Sequence, residues 1–172
     1  WTKLDQITAS YGQGISATSL QVISAFSTLA NGGVRMRPYI ISQIADNNET
    51  ITIQPQTIST PVSKTTADII SKDLAQGVID NALGGLASDL KSYKIAAKTG
   101  TAQIAKTDGT GYEDDISNAT VIGFAPYDDP KFVMLVKLEE PQVSTYASYT
   151  SVPVWRSIFL AIKDDLEIQK AN

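Results

Sequence analysis

The sequence predicts an α+β fold in which an antiparallel sheet is covered by helices. Three observations carry that expectation. Stretches beginning near Thr18 and Ser63 repeat apolar residues at helical spacing behind N-terminal capping signals. Three runs in the second half read as consecutive strands: Tyr93 to Ile104, Ala119 to Ala125 and Phe132 to Leu138. A last apolar stretch, Val152 to Leu166, reads as a closing helix, with Pro153 tolerated in its first turn. A chain of 172 residues, 42% hydrophobic and 19% charged, is long enough for one domain with its own core.

Taken in order, residues 1–17 read as irregular, with Tyr11-Gly12-Gln13-Gly14 as a flexible loop. Thr18 is an N-cap, and Gln21 three positions later completes a capping-box pattern. Val22, Ile23, Phe26, Leu29 and Ala30 then give the first helix an apolar face, and Asn31-Gly32-Gly33 stops it. Val34 to Ala45 reads as a strand, Asp46-Asn47-Asn48 as a turn, and Thr50 to Ile53 as a short returning strand. Pro61 and Ser63 introduce a second helix over Lys64 to Leu83, whose expected buried stripe is Ile69, Ile70, Leu74, Val78 and Leu83. Gly84-Gly85 ends it, and residues 86–92 read as a loop. A polar loop, Lys106 to Asp115, follows the first long strand. Pro126-Tyr127-Asp128-Asp129-Pro130 joins the last two strands as a hairpin.

Composition excludes several function classes. A net charge of −4 leaves no basic stripe to neutralise phosphates, so nucleic acid is not an expected partner. No apolar run approaches the roughly 20 residues that span a bilayer. The chain opens at Trp1 without an initiator Met or a signal peptide, which points to a fragment or a processed product. It holds neither Cys nor His. Disulfides, zinc–thiolate sites, Cys nucleophiles and a Ser-His-Asp triad are therefore excluded, and any general base must be Lys, Asp, Glu or Tyr.

Lys98-Thr99-Gly100-Thr101 is the most informative stretch. A cation and two hydroxyls on a strand can receive a carboxylate, and strand N–H groups can serve a developing oxyanion. A phosphate loop is excluded, because no G-x-x-x-x-G-K-[ST] pattern is present and Ala97 stands before the lysine. Taken alone, so short a string favours the end of a solvated strand. Ser88-Asp89-Leu90-Lys91 fits S-x-x-K by letters, but it lies in the expected loop before this strand with an Asp inside it. We read it as a solvated loop.

The context of the motif is more specific. Tyr11-Gly12-Gln13-Gly14-Ile15-Ser16-Ala17-Thr18-Ser19-Leu20-Gln21, then Ala30-Asn31-Gly32-Gly33, resemble the stretch upstream of K-T-G in class B penicillin-binding proteins. Lys98-Thr99-Gly100-Thr101-Ala102-Gln103, Gly123-Phe124-Ala125-Pro126, Asp129-Pro130 and Val152-Pro153-Val154 continue the resemblance in the family's order across nearly the whole chain. It implies a penicillin-binding-protein and serine β-lactamase-like transpeptidase fold, of which residues 1–172 are the C-terminal half.

The family's chemistry uses a nucleophilic Ser in S-x-x-K, a second Ser in S-x-N and the K-T-G strand. No S-x-N triplet occurs in this sequence. The resemblance implies that both upstream motifs belong to an N-terminal half of the same domain, the first expected partner. Lys98 would supply positive potential, and the Thr99 and Thr101 hydroxyls would hold the carboxylate of a stem peptide or a β-lactam. The Thr101 N–H would be one arm of the oxyanion hole, Gly100 would admit the substrate close to the strand, and Gln103 would line its path. Strict alternation turns Lys98 to the face opposite the threonines, so twist or an edge position must bring them to one cleft. Ala97 departs from the family's usual Gly. The implied activity is acyl transfer cross-linking peptidoglycan at the outer face of a bacterial membrane, together with the cell-wall synthesis machinery. No metal or organic cofactor is implied. A β-lactamase, carboxypeptidase or β-lactam sensor, and a catalytically inactive binding module, are the alternatives.

Overall fold

The computed structural model describes residues 1–47, 49–81, 83–84 and 87–171. Its elements run α1 (Lys3–Ser10), α2 (Ser19–Ala30), β1 (Arg35–Met36), β2 (Gln43–Ala45), β3 (Thr50–Thr52), β4 (Thr57–Ser59) and α3 (Lys64–Asn81). A 3₁₀ helix (Ser88–Tyr93), β5 (Ala96–Ala105), β6 (Tyr112–Ala125), β7 (Phe132–Glu139), a 3₁₀ turn (Ala147–Tyr149) and α4 (Ser151–Ile162) complete the order. The principal sheet is β5-β6-β7, antiparallel throughout, with β5 and β7 at its edges. The expected α+β architecture and its three consecutive strands are therefore present.

The two faces of this sheet bury different partners. Alternation along paired strands sends Val121, Val136 and Ala97 to one face. There they pack with Trp155 and Phe159 of α4. Phe124 and Ala96 go to the other face, against Ala75 of α3 and Phe26 and Leu29 of α2. Phe26 meets Phe124 edge-on with ring centroids 6.5 Å apart. Helix α2 starts as expected. The Thr18 side chain accepts from the Gln21 N–H at 3.2 Å, and the Gln21 side chain accepts from the Thr18 N–H at 2.8 Å.

Several expectations fail, each for a local physical reason. Residues 1–17 are not irregular throughout, because Thr2 and Asp5 form a reciprocal capping box that starts α1. The expected strand from Val34 to Ala45 is instead two short strands with different partners: β1 pairs with β4, and β2 with β3. Pro38 lies between them and supplies no N–H to a ladder. The Asp46 N–H donates to the Glu49 carbonyl at 3.0 Å ahead of β3; of the expected turn Asp46-Asn47-Asn48, Asn48 lies outside the described residues.

Helix α3 buries Ala67, Ser71, Ala75 and Val78. Of the expected stripe, Val78 and Leu83 are buried, Ile70 and Leu74 are half-buried, and Ile69 is exposed. The small residues lie at i, i+4, i+8 and i+11, a continuous face that lets the helix approach the sheet closely. Residues 88–93 are helical rather than loop, and Lys94 leaves that turn in a left-handed conformation before β5 begins at Ala96. Gly85 and Leu86 lie outside the described residues. Strand β6 begins at Tyr112, so the polar connection is only the stretch 106–111. The ladder crosses a register shift between Gln103 and Ala105. Helix α4 ends at Ile162, before Leu166.

Asp89 lies within the Ser88-Asp89-Leu90-Lys91 string, and Arg156 of α4 donates to its carboxylate at 2.9 and 2.7 Å. The bidentate guanidinium holds the Asp89 carboxyl below the ordinary aspartate range. A pKa depressed on folding contributes stability above the unfolded value near ~4, which is lost as pH falls through the folded value. Both side chains are about 40% exposed (39% and 43%), so the pair is worth about 0–1 kcal/mol. Asp89→Asn should therefore lower the melting temperature slightly at neutral pH, and the difference should begin to shrink below about pH 4 and be lost as pH falls through the lower folded value. Paired melts from pH 7 to pH 3 test this; a pH-independent difference would count against the ion pair.

Candidate active site on an edge strand

The K-T-G-T stretch lies in the middle of β5, the outer strand of the sheet. Lys98, Thr99, Gly100 and Thr101 stand opposite Ile122, Val121, Thr120 and Ala119 of β6. An outer strand turns alternate N–H and C=O groups away from its partner, so this one can accept an added extended segment. The sequence brings the motif here because β5 is followed directly by β6, its ladder partner among the described residues, while α3 packs on one face of the sheet.

Alternation does separate Lys98 from the threonines across the sheet, as expected. The edge position brings part of the motif back together. Ala97, Lys98 and Thr99 line one groove of about 270 Å³ with Asp73, Leu74, Gly77 and Asn81 of α3 and with Leu83. Lys98 is exposed. Its Nζ donates to the Thr99 carbonyl at 2.7 Å, and no carboxylate pairs with it among the described residues. An ammonium bonded only to a neutral carbonyl retains donors for an incoming anion.

Thr101 is exposed on the opposite face, where its Oγ1 accepts the Ala147 N–H at 3.3 Å. Gly100 also has a reason within the sheet. A Cβ there would meet Thr120 Oγ1 at 2.6 Å, and that hydroxyl donates to the Gly100 carbonyl at 3.3 Å. The glycine thus makes room within the sheet. Gln103, also exposed, lines a second hollow of about 320 Å³ with Ala102, Asn118, Thr120 and Lys137 against the Ile15–Val22 stretch. Sequence reasoning did not single out Thr120, Ser117 or Ala147, because only the strand register and the return of the chain after β7 bring them to the motif.

Larger hollows lie elsewhere. A notch of about 410 Å³ beside α2 is lined by Gln21, Ala25, Thr28, Leu29, Arg35, Pro61 and Val62. It gathers one cation and no group able to transfer a proton at neutral pH, so chemistry rather than volume selects the β5 edge.

The chain matches the penicillin binding protein transpeptidase domain over residues 1–160 and belongs to that family. It is 28% identical over 163 residues to the peptidoglycan D,D-transpeptidase FtsI of Buchnera aphidicola, covering 94% of this chain and 27% of that protein. It is 34% identical over 146 residues to stage V sporulation protein D of Bacillus subtilis, covering 81% of this chain and 21% of that protein. Among solved structures, penicillin-binding protein 3 of Mycobacterium tuberculosis in complex with ampicillin superposes with a TM-score of 0.83 at 25% identity, over 99% of this chain and 40% of that one. Penicillin-binding protein 2X of Streptococcus thermophilus superposes with a TM-score of 0.78 at 25% identity, over 98% of this chain and 26% of that one. The fold is that of penicillin-binding transpeptidase domains, and the chain spans about a quarter of the length of these curated relatives.

Proposed function

We propose that this chain is the K-T-G-bearing half of a serine D,D-transpeptidase domain that cross-links peptidoglycan and is acylated by β-lactams. The observation that carries the reading is Lys98 on an edge strand, free of carboxylate partners among the described residues and lining one groove with Thr99, on a strand that also presents the exposed Thr101. The family relatives named peptidoglycan D,D-transpeptidases support it, as does the ampicillin complex of the mycobacterial neighbour.

In this reading a serine from the rest of the domain attacks the carbonyl of the penultimate D-Ala. The Thr99 and Thr101 hydroxyls hold the terminal carboxylate, and Lys98 supplies positive potential at that carboxylate and at the relaying serine. The Thr101 N–H and the nucleophile's own N–H receive the oxyanion, where one such donor is worth about 3–4 kcal/mol of barrier. D-Ala leaves, a seryl ester remains, and an amine from a neighbouring stem peptide resolves it. The exposed Leu4 and Ile7 of α1, neither of which is buried by this chain, suit a surface that the nucleophile-bearing half covers. The reading carries with it a location outside the bacterial membrane beside the cell-wall synthesis machinery. No helix among the described residues is long and apolar enough to cross a membrane.

A reporter penicillin tests the assignment. The complete protein should gain one penicilloyl mass on a serine outside these 172 residues, and the isolated chain should gain none. Ser88 is the informative control, since its string is a 3₁₀ turn with Leu90 buried and Asp89 held by Arg156. Acylation of Ser88, or no adduct in the complete protein, would overturn the assignment.

A further inference from the structure

We propose that the Thr145–Ala147 segment and Ser117 form a positioning device that sets the direction of the Thr101 O–H. The inference rests on the reading of Thr101 as a carboxylate ligand. Thr101 pairs with Ala119, and Ser117 pairs with Gln103. The two hydroxyl residues are therefore diagonal neighbours on one face of the sheet. Both reach the segment that returns after β7, but with opposite polarity. Ser117, almost fully buried, donates to the Thr145 carbonyl at 2.5 Å. The Ala147 N–H donates to Thr101 Oγ1 at 3.3 Å.

That difference in polarity has a consequence. A hydroxyl carries one proton and two acceptor lone pairs. With one lone pair of Thr101 taken by an N–H, its proton cannot point at Ala147 and turns toward another acceptor. Thr101 is exposed on that strand, so the acceptor available is an incoming carboxylate. A hydroxyl that accepts an N–H while donating to an anion is polarised in one direction, and each bond strengthens the other. At 3.3 Å the Ala147 bond is long for an N–H donor, and it gains most when an anion draws the proton outward.

The segment is rigid enough to act this way. Ala147 is buried, and its carbonyl accepts from the buried Ser151 hydroxyl at 3.3 Å at the start of α4. The Thr150 hydroxyl donates to the Tyr146 carbonyl at 2.9 Å. The anchor on the sheet side is Ser117. Removing its hydroxyl should let the segment drift by tenths of an ångström and loosen the Ala147 bond, without deleting any group that touches substrate. Ser117 is thus a positioning residue.

The test uses the complete protein and two probes: a reporter penicillin with its free carboxylate, and the same penicillin as the carboxamide. The quantity read is the ratio of their acylation rates. Ser117→Ala should lower the preference for the carboxylate probe by roughly 3- to 10-fold, the range of one hydrogen bond. Thr101→Val should lower it at least as much, Thr101→Ser should retain most of it, and Ser117→Ala should add less than about twofold on top of Thr101→Val. Equal slowing of both probes by Ser117→Ala, or full additivity with Thr101→Val, would show a merely structural residue and overturn the inference alone. An unchanged preference in Thr101→Val would overturn the carboxylate-ligand reading as well. Should Ser117→Ala fail to fold, Ser117→Cys, a similar volume with a weak donor, is read by the same ratio and the same outcomes.

Discussion

Lys98→Ala in the complete protein should slow acylation by a reporter penicillin by roughly 100-fold or more while leaving the fold intact. The magnitude follows from preorganised charge. A donor aimed where negative charge develops typically contributes about 10²–10³ in rate, and it acts more strongly in a cleft that excludes water. The intact fold follows from what Lys98 touches. Its ammonium bonds only the neighbouring Thr99 carbonyl, and its side chain is exposed. Substitutions of that kind usually change stability by less than about 0.5 kcal/mol. Lys98→Arg separates charge from shape: a guanidinium keeps the positive potential but not the compact ammonium geometry, so an intermediate rate is expected. Stopped-flow acylation beside a thermal melt reads both quantities. Wild-type acylation by Lys98→Ala would remove Lys98 from the mechanism, and a collapsed melt would assign it a structural role.

How much of this was legible in the sequence depended on the range of the interaction. Thr18 and Gln21 lie three residues apart and announce α2 by themselves, and the three long strands follow one another with turn residues between them. The same local logic applies to Thr2 and Asp5, where Asp replaces the usual Glu or Gln of the capping pattern and makes the signal less plain. The buried face of α3 differs from the stripe that its large apolar residues predict. What the sheet selects there is Ala67, Ser71 and Ala75, since a helix can sit low on strands only where side chains are small. The K-T-G-T motif was visible because it is contiguous. Its surroundings were not, since the Ala147 N–H reaches Thr101 across 46 residues. Thr120 meets Gly100 only through a register that no local pattern specifies. The edge position of β5 lets Lys98 and Thr99 line one groove, while alternation keeps Thr101 on the other face.

Trp155→Ala should be the most damaging substitution in the core, at about 3–5 kcal/mol. Trp155 is fully buried. Its ring stacks on Phe159 at 5.5 Å and 11°, and lies 6.1 Å from Phe132. Its Nε1 donates to the Met134 carbonyl at 3.0 Å, so one side chain ties α4 both to the apolar face and to the backbone of the outer strand β7. The sheet is shaped to admit it: a Cβ on Gly123 would stand 3.2 Å from the indole and 2.8 Å from the Ala97 Cβ. Truncation to Ala leaves a cavity bounded by strands and rings that cannot collapse into it, and it strands the Met134 carbonyl. Domains of this size are stable by only about 5–15 kcal/mol, so a loss of this order consumes a large part of the total. Trp155→Phe should cost less, because it keeps most of the ring volume and forfeits the one hydrogen bond. Urea denaturation of the complete protein and both variants reads the difference. A cost below about 1 kcal/mol for Trp155→Ala would mean that α4 is held to the sheet by something other than this contact. The site would register the loss as well, since α4 begins four residues after Ala147, and the Thr101 face of β5 is held against that turn.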